Sequence, residues 1–278
     1  MLDFGALQPG ARAAGGSRAK TKSYAHPLTA EALSAIEADK VKRVVAFSQF
    51  PQWSCTTTGS SLNDLWREVK KSPALSDVQW SIIDRWPLHP TYIDAICERI
   101  EEKISTDDKT TLLFSAHSVP MKVVEKGDTY TTEVAATTQA VMARLAQRGK
   151  LKTVPKHILA WQSKVGYLPW MVPSTAEAIK NLGKRGAKRL LVVPVAFTSD
   201  HIETLFEIGI EYKHEAKEAG IEHFDFTTGL NGSETFARAL AEIVSTHLDA
   251  KENYSSQYKQ RCLTCDKPGC RGIVNAAY

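Results

Sequence analysis

Long hydrophobic runs are missing from this sequence. None in its 278 residues approaches the roughly eighteen apolar residues of a membrane span, so a transmembrane reading has no support. An excess of one charge is missing too. The 35 Lys and Arg stand against 31 Asp and Glu, and the small surplus is scattered, which predicts no nucleic-acid binding. No short internal period repeats, so a solenoid is not expected. The opening residues 1–22 lack an apolar h-region, which argues against a secretory signal. They carry four glycines with Arg12, Arg18, Lys20 and Lys22 against Asp3 alone. That reads as a disordered or unrelated leader, although the charge pattern also admits a mitochondrial transit sequence. Cysteine is scarce, at five residues. What remains is ordinary globular composition, 43% hydrophobic and 24% charged, in a chain long enough for one large core or two modest ones.

Along the chain, β-branched apolar runs predict strands at 41–48, 80–84, 111–115, 158–163, 189–197 and 223–227. Helical periodicity falls between them, ahead of 41 and at 62–71, 90–103, 133–147, 174–181, 203–219 and 233–248. Strand–helix alternation of this kind argues α/β architecture with parallel sheets. The segment 49–61, QFPQWSCTTTGSS, reads as a hydroxyl-rich loop holding Cys55.

The stretch 190–212, LLVVPVAFTSDHIETLFEIGIEY, carries the clearest chemistry. A continuous apolar run predicts a strand buried on both faces. Thr198, Ser199 and Asp200 offer N-cap side chains, and Ile202, Leu205, Phe206 and Ile210 predict an inward apolar stripe. Beyond the cap stand His201, Glu203, Glu207 and Glu211, the carboxylates four apart, where like charges repel. An acidic outer face explains any one of them. The whole set at the C-terminal end of a strand, where open α/β sheets bind ligands, favours a cation-handling row.

A second strand ends in SAHSVP, placing His117 at the same sheet edge. Histidine exchanges protons near neutral pH, and that edge weighs its functional reading evenly against an ordinary loop histidine. The third strand-end loop, 161–170, WQSKVGYLPW, has tryptophans that suit either the wall of a flat pocket or core packing. Cys262, Cys265 and Cys270 form a compact trio that suits a thiolate metal site better than disulfides, with Cys55 as the candidate fourth ligand. Spacing leaves zinc and an iron–sulfur cluster equally open. Cys97, on a helix, reads as a buried thiol.

Taken together, QFPQWSCTTTGSSLN, IIDRWP, LLFSAHSVPM, WQSKVGYLPW, AFTSDHIETLFEIGIEY and LNG resemble the ferrochelatase family, from about Tyr24 to Cys270. The resemblance implies insertion of Fe²⁺ into protoporphyrin IX to give protohaem. It implies two Rossmann-like parallel-sheet domains of chelatase type, the first incomplete here. By resemblance, His117 accepts a pyrrole proton or helps ligate the metal, and Glu203 lies across the porphyrin from it. Asp200, His201, Glu207 and Glu211 extend a metal path along a widened helix, while Tyr24, Ser163 and Trp170 line the macrocycle. The cysteine pattern of some animal and fungal members implies a 2Fe–2S cluster on Cys55, Cys262, Cys265 and Cys270. A homodimer, peripheral membrane contact and the matrix side of the mitochondrial inner membrane follow by the same resemblance.

Three residues depart from the family pattern as well. Ser23 stands where many members have an arginine, Tyr167 replaces a usual proline, and Gly209 an acidic residue. The family has a large segment before the position of Tyr24, which residues 1–23 do not resemble. The domain expectation is therefore a leader at 1–23, a remnant first domain at 24–87 and a second domain at 88–228. A helix at 229–250 packing on the first domain and a cysteine extension at 251–278 complete it. Weakened or absent activity of this chain alone is expected, since one pocket wall is not matched. The other reading is an impaired isoform or fragment that binds metal, porphyrin or a full-length subunit.

Overall fold

The computed structural model describes residues 27–104, 109–251 and 255. They divide into two compact units. The first holds described residues 27–86, 126–129 and those from 246 onward, and the second holds those of 87–125 and 130–245.

In the first unit α1 (Thr29–Ala38) precedes β1 (Arg43–Phe47), α2 (Thr58–Val69) and β2 (Gln79–Ile83). The two strands pair in parallel, with Ala46 opposite Ile82. Leu33, Ala46, Leu62, Leu65, Trp80 and Ile82 form their core. The helix α2 starts earlier than periodicity predicted. Gly59 donates to the Ser54 carbonyl, and a Cβ there would stand 3.3 Å from the Trp53 ring. The hydroxyls read as loop thus hydrogen-bond a tight entry, with Ser48 and Thr58 side chains 2.8 Å apart.

The second unit begins with α3 (Pro90–Glu101) and β3 (Thr111–His117), then α4 (Met121–Glu125) and α5 (Tyr130–Arg148). After β4 (His157–Gln162), α6 (Thr175–Lys184) and β5 (Arg189–Pro194) comes a π-helix, Glu203–Tyr212. That runs into α7 (Lys213–Glu218), β6 (His223–Phe226) and α8 (Glu234–Asp249), whose last residues fall in the first unit. The sheet is parallel throughout, ordered β4-β3-β5-β6. Its central strands are buried on both faces, as an uninterrupted apolar run requires. A capping box starts α6. Ser174 Oγ accepts from the Glu177 amide at 3.2 Å and Glu177 returns the bond to the Ser174 amide at 3.1 Å. Gly183 lets α6 cross α7, since a Cβ there would fall 2.2 Å from the Ala219 carbonyl oxygen.

Two expectations about the long helix fail. Its first ten residues are π-helical, and the apolar stripe faces outward. Ile202 is 65% exposed, Leu205 53%, Phe206 48% and Ile210 59%. Thr204, Ile208 and Tyr212 are the residues that pack inward. A π-helix carries i→i+5 bonds, so the phase inferred from an α period does not hold. The expected caps also give way. Asp200 instead accepts from the Gly229 amide at 2.8 Å, while His201 Nδ1 takes the Glu203 amide at 3.1 Å. Among the described residues no helix is long and apolar enough to cross a membrane.

Candidate functional site

The ends of β3, β4 and β5 converge on one edge of the second unit. His117 closes β3, opposite Gln162 of β4. Its Nδ1 lies 2.7 Å from the Ser118 carbonyl oxygen. A carbonyl only accepts, so Nδ1 carries a proton and Nε2 is the ring nitrogen left to face the site. That nitrogen sits 3.7 Å from Glu203 Oε1, and both side chains are 23% exposed. A flat ring between two such atoms needs about 3.5 Å of van der Waals gap on each side. In this structure the two groups share one small space, with less than that gap between them.

Trp170 stands beside the histidine, ring centroids 6.4 Å apart. Its loop is fastened by the Met171 amide on the Val119 carbonyl at 3.0 Å and the Met121 amide on that of Pro169 at 2.9 Å. The Trp170 indole N–H is buried without a hydrogen-bond partner among the described residues, a donor left for whatever enters. Tyr167, in the same loop, is fully exposed.

The members of the predicted acidic row do not share one environment. Glu207 turns inward and accepts from the Ser163 amide, the Ser163 hydroxyl, Gln162 and Tyr212. Glu211 is exposed. His201 is half-buried, with its ring edge-on to Phe197 at 4.8 Å. Burial holds its pKa below the ordinary histidine value, against the opposing pull of Glu203 and Asp200. A neutral imidazole is also what its role as acceptor from the Glu203 amide demands. Among the described residues no group of three or more His, Cys, Asp and Glu side chains forms a ready-made metal site.

Sequence reasoning missed the polar layer beneath the site. Gln162, Thr175, Thr204 and Tyr212 are all buried, and Ser115 bonds both Gln162 at 2.7 Å and Thr175 at 2.8 Å. One signal was legible in retrospect. Tyr212 follows Glu207 by five, the π-helical repeat. Of the cysteines, Cys97 is fully buried with its thiol pushed up to about 12 by desolvation, as an inert core thiol should be. Cys55 is half-buried in a loop whose backbone amide donates to Asp128 at 2.6 Å. Tyr24, Cys262, Cys265 and Cys270 lie outside the described residues. A groove of about 890 Å³ elsewhere in the unit, along the starts of β5 and β6 and α7, contains none of the site residues.

The ferrochelatase family profile matches residues 19–248, most of the chain. The chain belongs to the ferrochelatase family. It is 47% identical over 257 residues to the mitochondrial ferrochelatase of Schizosaccharomyces pombe, covering 91% of this chain and 59% of that protein. To the mitochondrial ferrochelatase of Gallus gallus it is 46% identical over 254 residues, covering 89% and 62%. The human protein gives 45% over 254 residues, covering 89% and 59%. The chain thus spans about three-fifths of the length of these ferrochelatases. Among solved structures, SirB from Bacillus subtilis with Fe3+ superposes with a TM-score of 0.58 at 10% identity, covering 83% of this chain and 82% of that one. That likeness shows a chelatase-type α/β fold.

Proposed function

We propose that this chain inserts Fe²⁺ into protoporphyrin IX, with His117 and Glu203 as its catalytic residues. The observation that carries the reading is the placement of His117, whose Nδ1 is held by a carbonyl and whose Nε2 faces the Glu203 carboxylate at 3.7 Å. Metallation forms bonds from iron to the porphyrin nitrogens and releases two N–H protons. His117 Nε2 takes one proton directly, as a general base. Glu203 holds the incoming iron and receives the second proton as the metal passes to the ring. The same separation lets both groups touch one cation, since two bonds of about 2.0–2.2 Å span 3.7 Å at an open angle. His201 and Asp200 stand behind Glu203 on the way out, and Glu211 on the exposed end of the row meets iron first.

Ser163 and Trp170 line the macrocycle in this reading, with Tyr24 added from the sequence. The location is mitochondrial, as in the names of the relatives, with peripheral contact on the matrix face of the inner membrane and a homodimeric assembly. A 2Fe–2S cluster on Cys55, Cys262, Cys265 and Cys270 completes it. Four thiolates suit such a cluster, and the loop that carries Cys55 is pinned by Asp128, which accepts from the Cys55 amide at 2.6 Å.

The test is anaerobic metallation of protoporphyrin by the purified chain, followed by the absorption change. Turnover that falls about a hundredfold or more in His117→Ala and in Glu203→Gln is the expected result. Turnover that survives His117→Ala unchanged would overturn the assignment.

A further inference from the structure

Every acceptor position of one carboxylate in the acidic row is already taken. A carboxylate offers about four lone-pair sites. Glu207 Oε1 accepts from the Ser163 amide at 2.9 Å and the Tyr212 hydroxyl at 2.8 Å. Oε2 accepts from the Ser163 hydroxyl at 2.5 Å and Gln162 Nε2 at 3.1 Å. We infer that Glu207 is a positioning residue and not an iron ligand: it locks Ser163 and the loop behind it, and Tyr212 and Gln162 hold it in place.

The donors cannot readily turn to another partner. Gln162 is 1% exposed, and its Oε1 is occupied by Ser115, which is itself tied to Thr175. Tyr212 is 6% exposed. An iron ion that reached Glu207 would have to displace one of these bonds and leave a buried donor unpaired. Exposed Glu211 bears no such cost.

What the lock accomplishes is visible at Ser163, whose φ of 62° is a left-handed conformation that non-glycine residues rarely adopt. Such a conformation persists only where its surroundings over-determine it. Glu207 grips this residue by amide and hydroxyl together. Ser163 opens the loop that delivers Trp170 to His117, and Gln162 Nε2 also donates to the Glu203 carbonyl at 3.0 Å. One carboxylate therefore ties the macrocycle loop to the turn that bears Glu203.

Only the kinetic arm of the test rests on the proposed iron insertion. In the full chain, hydrogen exchange is measured across 162–170, and affinity for Co²⁺ is measured by its visible spectrum. Glu207→Gln is expected to raise exchange in that segment tenfold or more. Tyr212→Phe, which keeps the carboxylate, is expected to raise it by a smaller factor. Cobalt affinity should stay within about threefold in both, since neither removes a ligand. Ser163→Gly should raise the melting temperature in the Glu207→Gln background, where only the strain remains to be relieved, and not in the unaltered chain. In turnover, Glu207→Gln should raise KM for protoporphyrin and leave KM for Fe²⁺ in place. Exchange unchanged in Glu207→Gln, or a tenfold loss of cobalt affinity there but not in Tyr212→Phe, overturns the inference. If the unaltered chain shows no turnover, the proposed function fails, while exchange and the Ser163→Gly comparison still decide the role of Glu207.

Discussion

At the scale of single residues, the decisive feature is how two imidazoles are fixed in opposite tautomers. His117 donates from Nδ1 to a carbonyl, and His201 accepts at Nδ1 from the Glu203 amide. One presents a base to the site, and the other completes the start of the π-helix. Two predictions follow from that difference. His117→Ala should cost activity about a hundredfold or more while leaving the melting temperature nearly unchanged, because the ring is partly exposed and its one hydrogen bond among the described residues is to the adjacent carbonyl. His201→Ala, checked by thermal unfolding, should cost about 0.5–2 kcal/mol, the ordinary range for a lost helix cap. Equal melting temperatures for the two variants would contradict the capping role.

At the scale of elements, the outward stripe of the π-helix is the sharpest test of the described packing. Leu205→Lys and Ile210→Lys should change stability by no more than about 0.5 kcal/mol, as exposed positions do. Ile208→Ala, fully buried between them, should cost about 2–5 kcal/mol. Denaturant melts of the three variants would give the reverse order had the α-helical phase been correct. A second element-scale prediction concerns α3 and α5, which are joined by ion pairs. Arg144 meets both oxygens of Asp94 at 2.7 Å, and Arg148 meets those of Glu101 at 2.8 and 2.9 Å. Hydrogen bonds from Arg144 hold the Asp94 carboxyl below its usual range. Burial pushes Glu101 up, but Arg148 and Lys150 outweigh it and the net direction is down. Carboxyls depressed in the fold contribute stability above their unfolded pKa, near 4, and lose it as pH falls through the lower folded values. The melting temperature should therefore drop between pH 5 and pH 3, with a flatter slope in Asp94→Asn, which starts lower.

At the scale of the whole molecule, the proposed cluster would tie cysteines more than 200 positions apart in sequence, Cys55 and the trio from Cys262. Anaerobically purified protein should be brown, with about two irons and two sulfides per chain. Cys262→Ser should bleach it and lower the melting temperature together, because a metal that closes so long a loop contributes to folding. A colourless protein with one zinc per chain would replace the cluster with a structural zinc site.

The sequence by itself marked the buried strand at the centre of the site: the continuous apolar run at 190–197 reads as buried on both faces, because such burial removes the polar alternation. It also brought His117 and the 200–211 stretch to one sheet edge, since parallel strands all end on the same side. Tertiary structure decided what the residues face. The π-helix moved the apolar stripe outward and turned Glu207 inward, which no α period could reveal. It also set the buried layer of Ser115, Gln162, Thr175 and Tyr212, whose members come from four separate elements. Each looks ordinary in sequence, because a hydrogen-bond network is fixed by through-space geometry and leaves no local period. The 3.7 Å between His117 and Glu203 belongs to the same class. Sequence places the two groups on neighbouring strand ends, and only the packing of helix on sheet sets the distance between a base and its carboxylate.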